Sequence, residues 1–314
     1  MPQISRGVGV SIVLLFVCAG AYALQHDLRQ LPSMSVLPPW NLLILAAVLS
    51  LGNYALRIYR WRMYLGRLGH GLPHRFAALT YVAGFAYTLS PGKVGEMARA
   101  RYYTRLGVPL SDVAAAFLVE RLLDVVVMVA LAGLIASTSA RYQAATFTAA
   151  ALAAVAVVAL AVLPWTTLAT RLDRAGHLPA WLRSSFVQGT RSLSAARELL
   201  RPSMLAVGFL VGLLAWGFEG VGLDVLSSYL PGAHLGLSAA IGIYGLAVLV
   251  GGLSLVPGGL GSAEAVMTAL IVTHGYPLAD ALLLTLLCRL LTLWLGVGLG
   301  WLAVTSLRQR AQPA

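Results

Sequence analysis

Long apolar stretches separated by short polar ones dominate the chain, and they are of two kinds. Runs near 7–24, 40–59, 111–137, 143–163, 203–229 and 277–305 hold few polar residues and approach the ~20 residues a helix needs to cross a bilayer. Two further apolar regions, 76–105 and 236–275, are each interrupted by one pattern. The first copy is Leu89-Ser90-Pro91-Gly92-Lys93-Val94-Gly95, and the second is Leu255-Val256-Pro257-Gly258-Gly259-Leu260-Gly261. Backbone groups freed by such a break are tolerated at membrane depth only when buried in protein or lining a cavity. Gly/Pro interruptions at matching places in two halves of a membrane protein point to a transporter site. Pro91, Gly92, Gly95, Pro257, Gly258, Gly259 and Gly261 are therefore candidate hinge or close-approach positions.

Composition agrees with this pattern. Hydrophobic residues make up 59% of the chain and charged residues only 11%, against ~25% charged in an ordinary soluble domain. The expected fold is an all-α polytopic membrane protein, 1–314 forming one integral membrane domain. A net charge of +11 would suggest nucleic acid for a soluble protein, but here it reads as the excess of basic residues on cytoplasmic loops, with anionic headgroups as a compatible contact. Residues 1–24 admit two readings, a signal peptide ending near Ala21-Tyr22-Ala23 or a retained first helix, and the retained helix is preferred.

The charge map orders these segments. Arg57, Arg60, Arg62, Arg67 and Arg75 place 57–75 on the cytoplasmic side, as do Arg99, Arg101 and Arg105 after the first break. The 164–202 loop and the C-terminus are also arginine-rich, whereas 230–236 and 274–280 hold no Lys or Arg. About six spanning helices, with both termini in the cytoplasm of a cell whose inner membrane holds the protein, satisfy these counts. Two broken re-entrant hairpins then enter from opposite sides, giving an inverted repeat: about 40–137, a linker helix and loop about 138–202, and about 203–305. Two full crossings in place of each hairpin would give the same loop sides. The 164–202 loop mixes arginine with Trp165, Leu172, Leu178, Trp181, Leu182 and Phe186. It reads as a connector or a surface-lying amphipathic helix.

Charges inside apolar runs carry the candidate chemistry, because an Arg or Asp at a helix centre costs about 2.5–3.5 kcal/mol on insertion scales. Glu120, Arg121 and Asp124 form one cluster at helical spacing. Arg289 stands alone in the last run, so its partner is expected to be Glu264, Glu219 or a bound anion. Arg121 and Arg289 each begin an Arg-Leu-Leu about thirty residues after a break. A guanidinium donates two parallel hydrogen bonds and stays charged, which suits phosphate. Glu96 and Glu264 follow the breaks, where a helix N-terminus favours an anion; they either cap helices and pair with arginine or meet a cationic headgroup or proton. Lys93 has no counterpart in the second copy, so the two half-sites differ chemically.

Other chemistries find little support. His26, His70, His74, His177, His234 and His274 form no His-Glu-x-x-His motif, and no Gly-x-Ser-x-Gly elbow is present. No metal site, cofactor or enzymatic activity is expected. No nucleotide-binding loop is present, so an ion gradient, the membrane potential or consumption of the product would drive any transport.

Pro91-Gly92-Lys93-Val94-Gly95-Glu96 with Arg99, Glu120-Arg121-Leu122-Leu123-Asp124, Pro257-Gly258-Gly259-Leu260-Gly261 with Glu264, and Arg289 together resemble the lysylphosphatidylglycerol synthase transmembrane-region family. The resemblance runs from about 40 to 305. It implies a flippase-like domain that moves anionic, aminoacylated or polyprenyl-linked lipids between leaflets. The synthetase joined to it in its best-known members has no counterpart in this sequence, so the chain is expected to be a stand-alone member and lysyl transfer is not implied. The expected function is a lipid flippase that docks a phosphate headgroup in a midplane cavity, with Arg121, Arg289, Lys93, Glu96, Glu264, Glu120, Asp124 and Glu219 as substrate-binding candidates. The alternatives are a non-catalytic accessory protein of an envelope-lipid pathway and, behind it, an intramembrane lipid enzyme. A membrane lipid is the expected partner and nucleic acid is not; a homo-oligomer and lipid-biosynthesis enzymes are further candidate partners.

Overall fold

The computed structural model describes residues 38–136, 140–163, 165, 167, 170–171, 180–230 and 234–309. The described residues are helical or irregular, without strands. In chain order the helices are α1 (Trp40–Arg67), α2 (His74–Phe85), α3 (Ala100–Thr104), α4 (Leu110–Ala136), α5 (Ala140–Val162), α6 (Ala180–Leu199), α7 (Pro202–Ser227), α8 (Leu237–Leu253), α9 (Ser262–Thr273), α10 (Leu278–Arg289) and α11 (Leu295–Gln309). Short 3₁₀ segments, Pro91–Arg99 and Pro257–Gly259, occupy the two Pro-Gly interruptions. The candidate first helix at 7–24, the N-terminal side of the membrane, and Leu172 and Leu178 of the loop lie outside the described residues.

Prolines set many of the helix starts. Helices α1, α2 and α10 follow Pro39, Pro73 and Pro277, and Pro202 occupies the first turn of α7. A proline there loses no hydrogen bond, because the first N–H groups of a helix are unpaired anyway, and its φ is already helical. Among the described residues, three helical stretches are long and apolar enough to cross a membrane: Trp40–Arg67, Pro202–Ser227 and Leu278–Gln309. Helix α4 has similar length, 27 residues, or about 40 Å, but carries Glu120, Arg121 and Asp124 in its middle.

Helix α1 is inside out relative to a soluble helix. Its outward stripe is Trp40, Ile44, Val48 and Leu51, and its inward stripe holds Ser50, Asn53, Arg57 and Arg60. An apolar exterior around a polar interior is what hydrocarbon surroundings favour. Helix α7 repeats this, with Leu210 and Leu214 exposed and Glu219 buried.

Small residues let the helices approach closely. Helices α1 and α7 pair antiparallel: Ser50 Oγ donates to Glu219 Oε2 at 2.7 Å, Asn53 Nδ2 donates to the Ala215 carbonyl at 2.8 Å, and Gly212 and Gly208 face Arg60 and Tyr64 further along. Helix α8 packs against α4 through Gly242 and Gly245 over Ile135 and Leu131, while α2 packs against α11 through Gly300 under Ala86. The two interruptions touch reciprocally, Leu89 lying against Gly258 and Leu255 against Gly92. A Cβ at Gly220 would stand 2.6 Å from the Ile241 Cα, so α7 and α8 must separate to admit one. Gly220→Val is expected to destabilise the protein by about 1–3 kcal/mol, seen as a lower thermal unfolding midpoint in detergent; an unchanged midpoint would refute this seam.

Helix α6 covers part of the loop expected to be a connector or a surface helix. It packs against α4, burying Ala196 and Leu199 while Arg191 and Arg197 stay exposed. It is amphipathic, and Ala196 and Leu199 of its apolar face meet protein while Phe186 is exposed. Helix α1 also continues to Arg67, eight residues past the expected run, so Arg57 and Arg60 are buried helix residues. Arg99 is buried too. These three arginines therefore drop out of the cytoplasmic charge count, while Arg67, Arg75, Arg101 and Arg105 are exposed and still bear on it.

Candidate functional site

The first interruption is wider than its sequence pattern. Helix α2 ends at Phe85, and the following turn runs into the 3₁₀ segment with Gly92 and Lys93 at φ 58 and 57. Gly258 has φ 64, and Leu255 just before it has φ 55. Glycine enters this left-handed region freely; Lys93 and Leu255 do so at a cost of about 1–2 kcal/mol. Local side chains satisfy part of the freed backbone. The Gly95 N–H donates to Ser90 Oγ at 2.6 Å, the Val256 N–H to Ser254 Oγ at 3.3 Å, and the Gly261 N–H to Glu264 Oε2 at 2.6 Å. Glu264 thus caps α9, as one sequence reading expected. Glu96 does not cap an α-helix: it lies within the 3₁₀ segment and accepts from Thr88 Oγ1 at 2.9 Å.

A buried charge cluster lies beside the first interruption. Arg60 Nη2 meets Asp124 Oδ1 at 2.5 Å and stands 3.7 Å from Glu120, while Arg99 Nη2 meets Glu120 Oε2 at 2.6 Å. Arg121 lies 3.2 Å from Glu120, 3.1 Å from Asp124 and 3.9 Å from Glu96. Tyr81 donates its hydroxyl to Glu120, and Trp216 Nε1 donates to Asp124 at 3.0 Å. Such pairs offset the several kcal/mol that each ion loses on leaving water. The i, i+3 contact of Arg121 with Asp124 was legible; the cations from α1 and the 3₁₀ segment were not.

Arg289 is held on the other side. Its Nε donates to Glu264 Oε1 at 2.5 Å and its Nη2 to the Gly258 carbonyl at 2.8 Å. Of the two carboxylates expected as partners, Glu264 is the one in contact; Glu219 bonds Ser50 instead. A π-helical turn, Leu290–Trp294, follows Arg289 directly, and Tyr54 donates its hydroxyl to the Thr292 carbonyl there. Such π-turns recur at functional sites.

Both interruptions open on one cavity of about 170 Å³, roughly tenfold the space one water requires. Ser90, Gly92 and Lys93 line it from the first, Val256, Gly258 and Gly259 from the second, and Arg121, Asp124, Trp216 and Arg289 complete its polar wall. A smaller cavity of about 50 Å³ shares Lys93, Trp216 and Arg289 and adds Arg57, Glu96, Glu219, Tyr54 and Tyr244. The eight candidate binding residues thus divide: Lys93, Arg121, Asp124 and Arg289 face the larger space, Glu96 and Glu219 the smaller one, and Glu120 and Glu264 stand behind them holding the arginines. Among the hinge candidates Gly92, Gly258 and Gly259 line the larger space. Arg57, Arg60, Arg99, Tyr81 and Trp216 were missed. Asn53, Arg57 and Arg60 recur at helical spacing on one face, a signal obscured by ending the 40–59 run before Arg60; a tryptophan inside an apolar run gives no comparable signal. Among the described residues no group of His, Cys, Asp and Glu is placed to hold a metal ion.

Comparison with known proteins agrees with these features. Residues 4–300 match the family described as the lysylphosphatidylglycerol synthase TM region. The chain is also 27% identical, over 283 residues, to a UPF0104 membrane protein of Methanothermobacter thermautotrophicus, covering 83% of this chain and 82% of that relative. The protein is thus integral to a membrane, and it belongs to the lysylphosphatidylglycerol synthase transmembrane-region family.

Proposed function

We propose that the protein is a lipid flippase that moves a phosphate-bearing lipid between leaflets through the cavity between its two interrupted segments. The observation that carries this reading is that Arg121 and Arg289, from opposite halves of the chain, line the same space. A cavity at membrane depth with fixed cations lowers the cost of carrying a charged headgroup past hydrocarbon, while the acyl chains stay in the bilayer.

The architecture behind this reading is an inverted repeat. Support comes from the antiparallel pairing of α1 with α7 and from the reciprocal contacts of Leu89 with Gly258 and Leu255 with Gly92. Each interrupted segment also packs on a helix of the other half, α8 on α4 and α2 on α11. The repeats cover about 40–137 and 203–305, within six spans and two re-entrant hairpins. The cell membrane with both termini cytoplasmic is the matching placement, and no enzymatic step is assigned. Rocking of one repeat on the other would expose the cavity to each side in turn.

The test is reconstitution into vesicles with fluorescent phosphatidylglycerol, reading the fraction accessible to a membrane-impermeant quencher. The wild type is expected to raise that fraction well above empty vesicles, and an Arg121→Lys/Arg289→Lys protein, with charge kept but fork geometry lost, to fall at least tenfold in rate. Equal rates in both proteins and in empty vesicles would reject the flippase. They would favour an accessory role, which the carboxylate partners of both arginines already make the second reading.

A further inference from the structure

Arg121 and Arg289 attract attention because they correspond, yet neither is the cation that most needs an anion. Arg121, Arg60 and Arg99 retain N–H groups without hydrogen bonds, but each faces a carboxylate within 4 Å. Arg57 has none within that distance among the described residues, although Glu96 and Glu219 line the same smaller cavity. Its side chain is buried, with 5% of the residue exposed, and its Nε and Nη2 make no hydrogen bond. It is held by ring faces instead, its Cζ lying 4.9 Å from the centroid of Trp216 and 5.1 Å from that of Phe85.

Lys93, partly exposed, is a second cation without a carboxylate within ion-pair distance among the described residues. Its Nζ lies 5.4 Å from the same Trp216 ring, and its backbone is held in the left-handed region. Both cations line the smaller cavity, and Lys93 also lines the larger one. Aromatic faces stabilise a cation but leave its N–H groups unfilled, and an unpaired buried charge is costly. A guanidinium fork beside an ammonium matches a tetrahedral phosphate, the fork taking two oxygens and the ammonium acting as a point charge.

We infer that Arg57 and Lys93, carried by α1 and the first interruption against the same Trp216 ring and lining one cavity, form the anion subsite that receives a phosphate group. Arg121 and Arg289 shape and charge the wall around it. The inference takes its ligand from the lipid-transport reading: a phosphodiester headgroup, whose phosphate chemistry inorganic phosphate shares.

The experiment is calorimetric titration of the purified full chain in a non-ionic detergent, using dihexanoyl phosphatidylglycerol, inorganic phosphate and uncharged dihexanoylglycerol. The wild type is expected to bind the phosphatidylglycerol and not the diacylglycerol. Lys93→Gln, a change at a partly exposed position, is expected to weaken that binding tenfold or more, with Lys93→Arg restoring most of it and the unfolding midpoint unmoved. Arg57→Gln is expected to weaken it further where the protein still folds. Wild-type affinity in Lys93→Gln, or equal affinity for the diacylglycerol, overturns the subsite. Phosphate binding as tight as the lipid's, and lost in Lys93→Gln, keeps the anion subsite and rejects the lipid as its ligand. Vesicle flipping that persists in Lys93→Gln overturns this inference alone; headgroup binding lost in that variant, with no flipping by the wild type, overturns the flippase alone.

Discussion

Glu120→Ala is expected to destabilise the protein by about 3–5 kcal/mol, the range for breaking a buried ion pair by removing one partner. Glu120 is fully buried, and Arg99, stacked 3.7 Å from the Trp61 ring centroid, has no other carboxylate within ion-pair distance among the described residues. Alanine leaves that guanidinium charged and dry, and strips Tyr81 of its acceptor. Arg60 suffers less, because Asp124 still meets it at 2.5 Å. The control is Glu198→Ala on the surface, where Arg201 at 2.8 Å and Arg67 at 3.9 Å are half exposed; pairs of that kind contribute about 0–1 kcal/mol. Unfolding midpoints in one detergent compare the two variants directly. Similar losses in both would mean that the cluster is as solvated as the surface, against the burial of Glu120 and Arg99.

The same cluster shows where reading the chain worked and where it stopped. Helix positions were legible because apolar runs of spanning length need no tertiary information: α4, α5, α7 and the continuous Leu278–Gln309 stretch all fall within a few residues of their runs. The interruptions were legible because Pro and Gly act on the backbone itself. Depth was not legible. An arginine adds to the basic count of a loop or is buried beside an acid according to where its helix ends, and Arg57, Arg60 and Arg99 fell on the buried side. Glu96 illustrates a second limit: its distance from Pro91 suits a helix N-terminus, but the 3₁₀ segment continues past it to Arg99. For Arg289 the choice between Glu264 and Glu219 depended on the fold of the second interruption, which brings Glu264 round on the first turn of α9.

That last pair separates packing from transport. Glu264→Gln keeps an oxygen for the Gly261 N–H and so preserves the cap, but it leaves Arg289, whose side chain is 7% exposed, with only the Gly258 carbonyl and a neutral amide. A loss of about 2–4 kcal/mol is expected, somewhat less than for a fully severed buried pair. Arg289→Leu alone is expected to cost less, since the Glu264 side chain is 20% exposed and retains the Gly261 bond. The double variant removes the orphaned charge, and its stability is expected to recover to about that of Arg289→Leu, giving a coupling of about 0.5–3 kcal/mol in a double-mutant cycle. Flipping in vesicles is expected to follow a different rule. If Arg289 presents its charge to a passing headgroup, the double variant regains its unfolding midpoint and still fails to move lipid. Should transport return together with stability, Arg289 and Glu264 are a strut, and the cavity's chemistry rests on Arg57, Lys93 and Arg121.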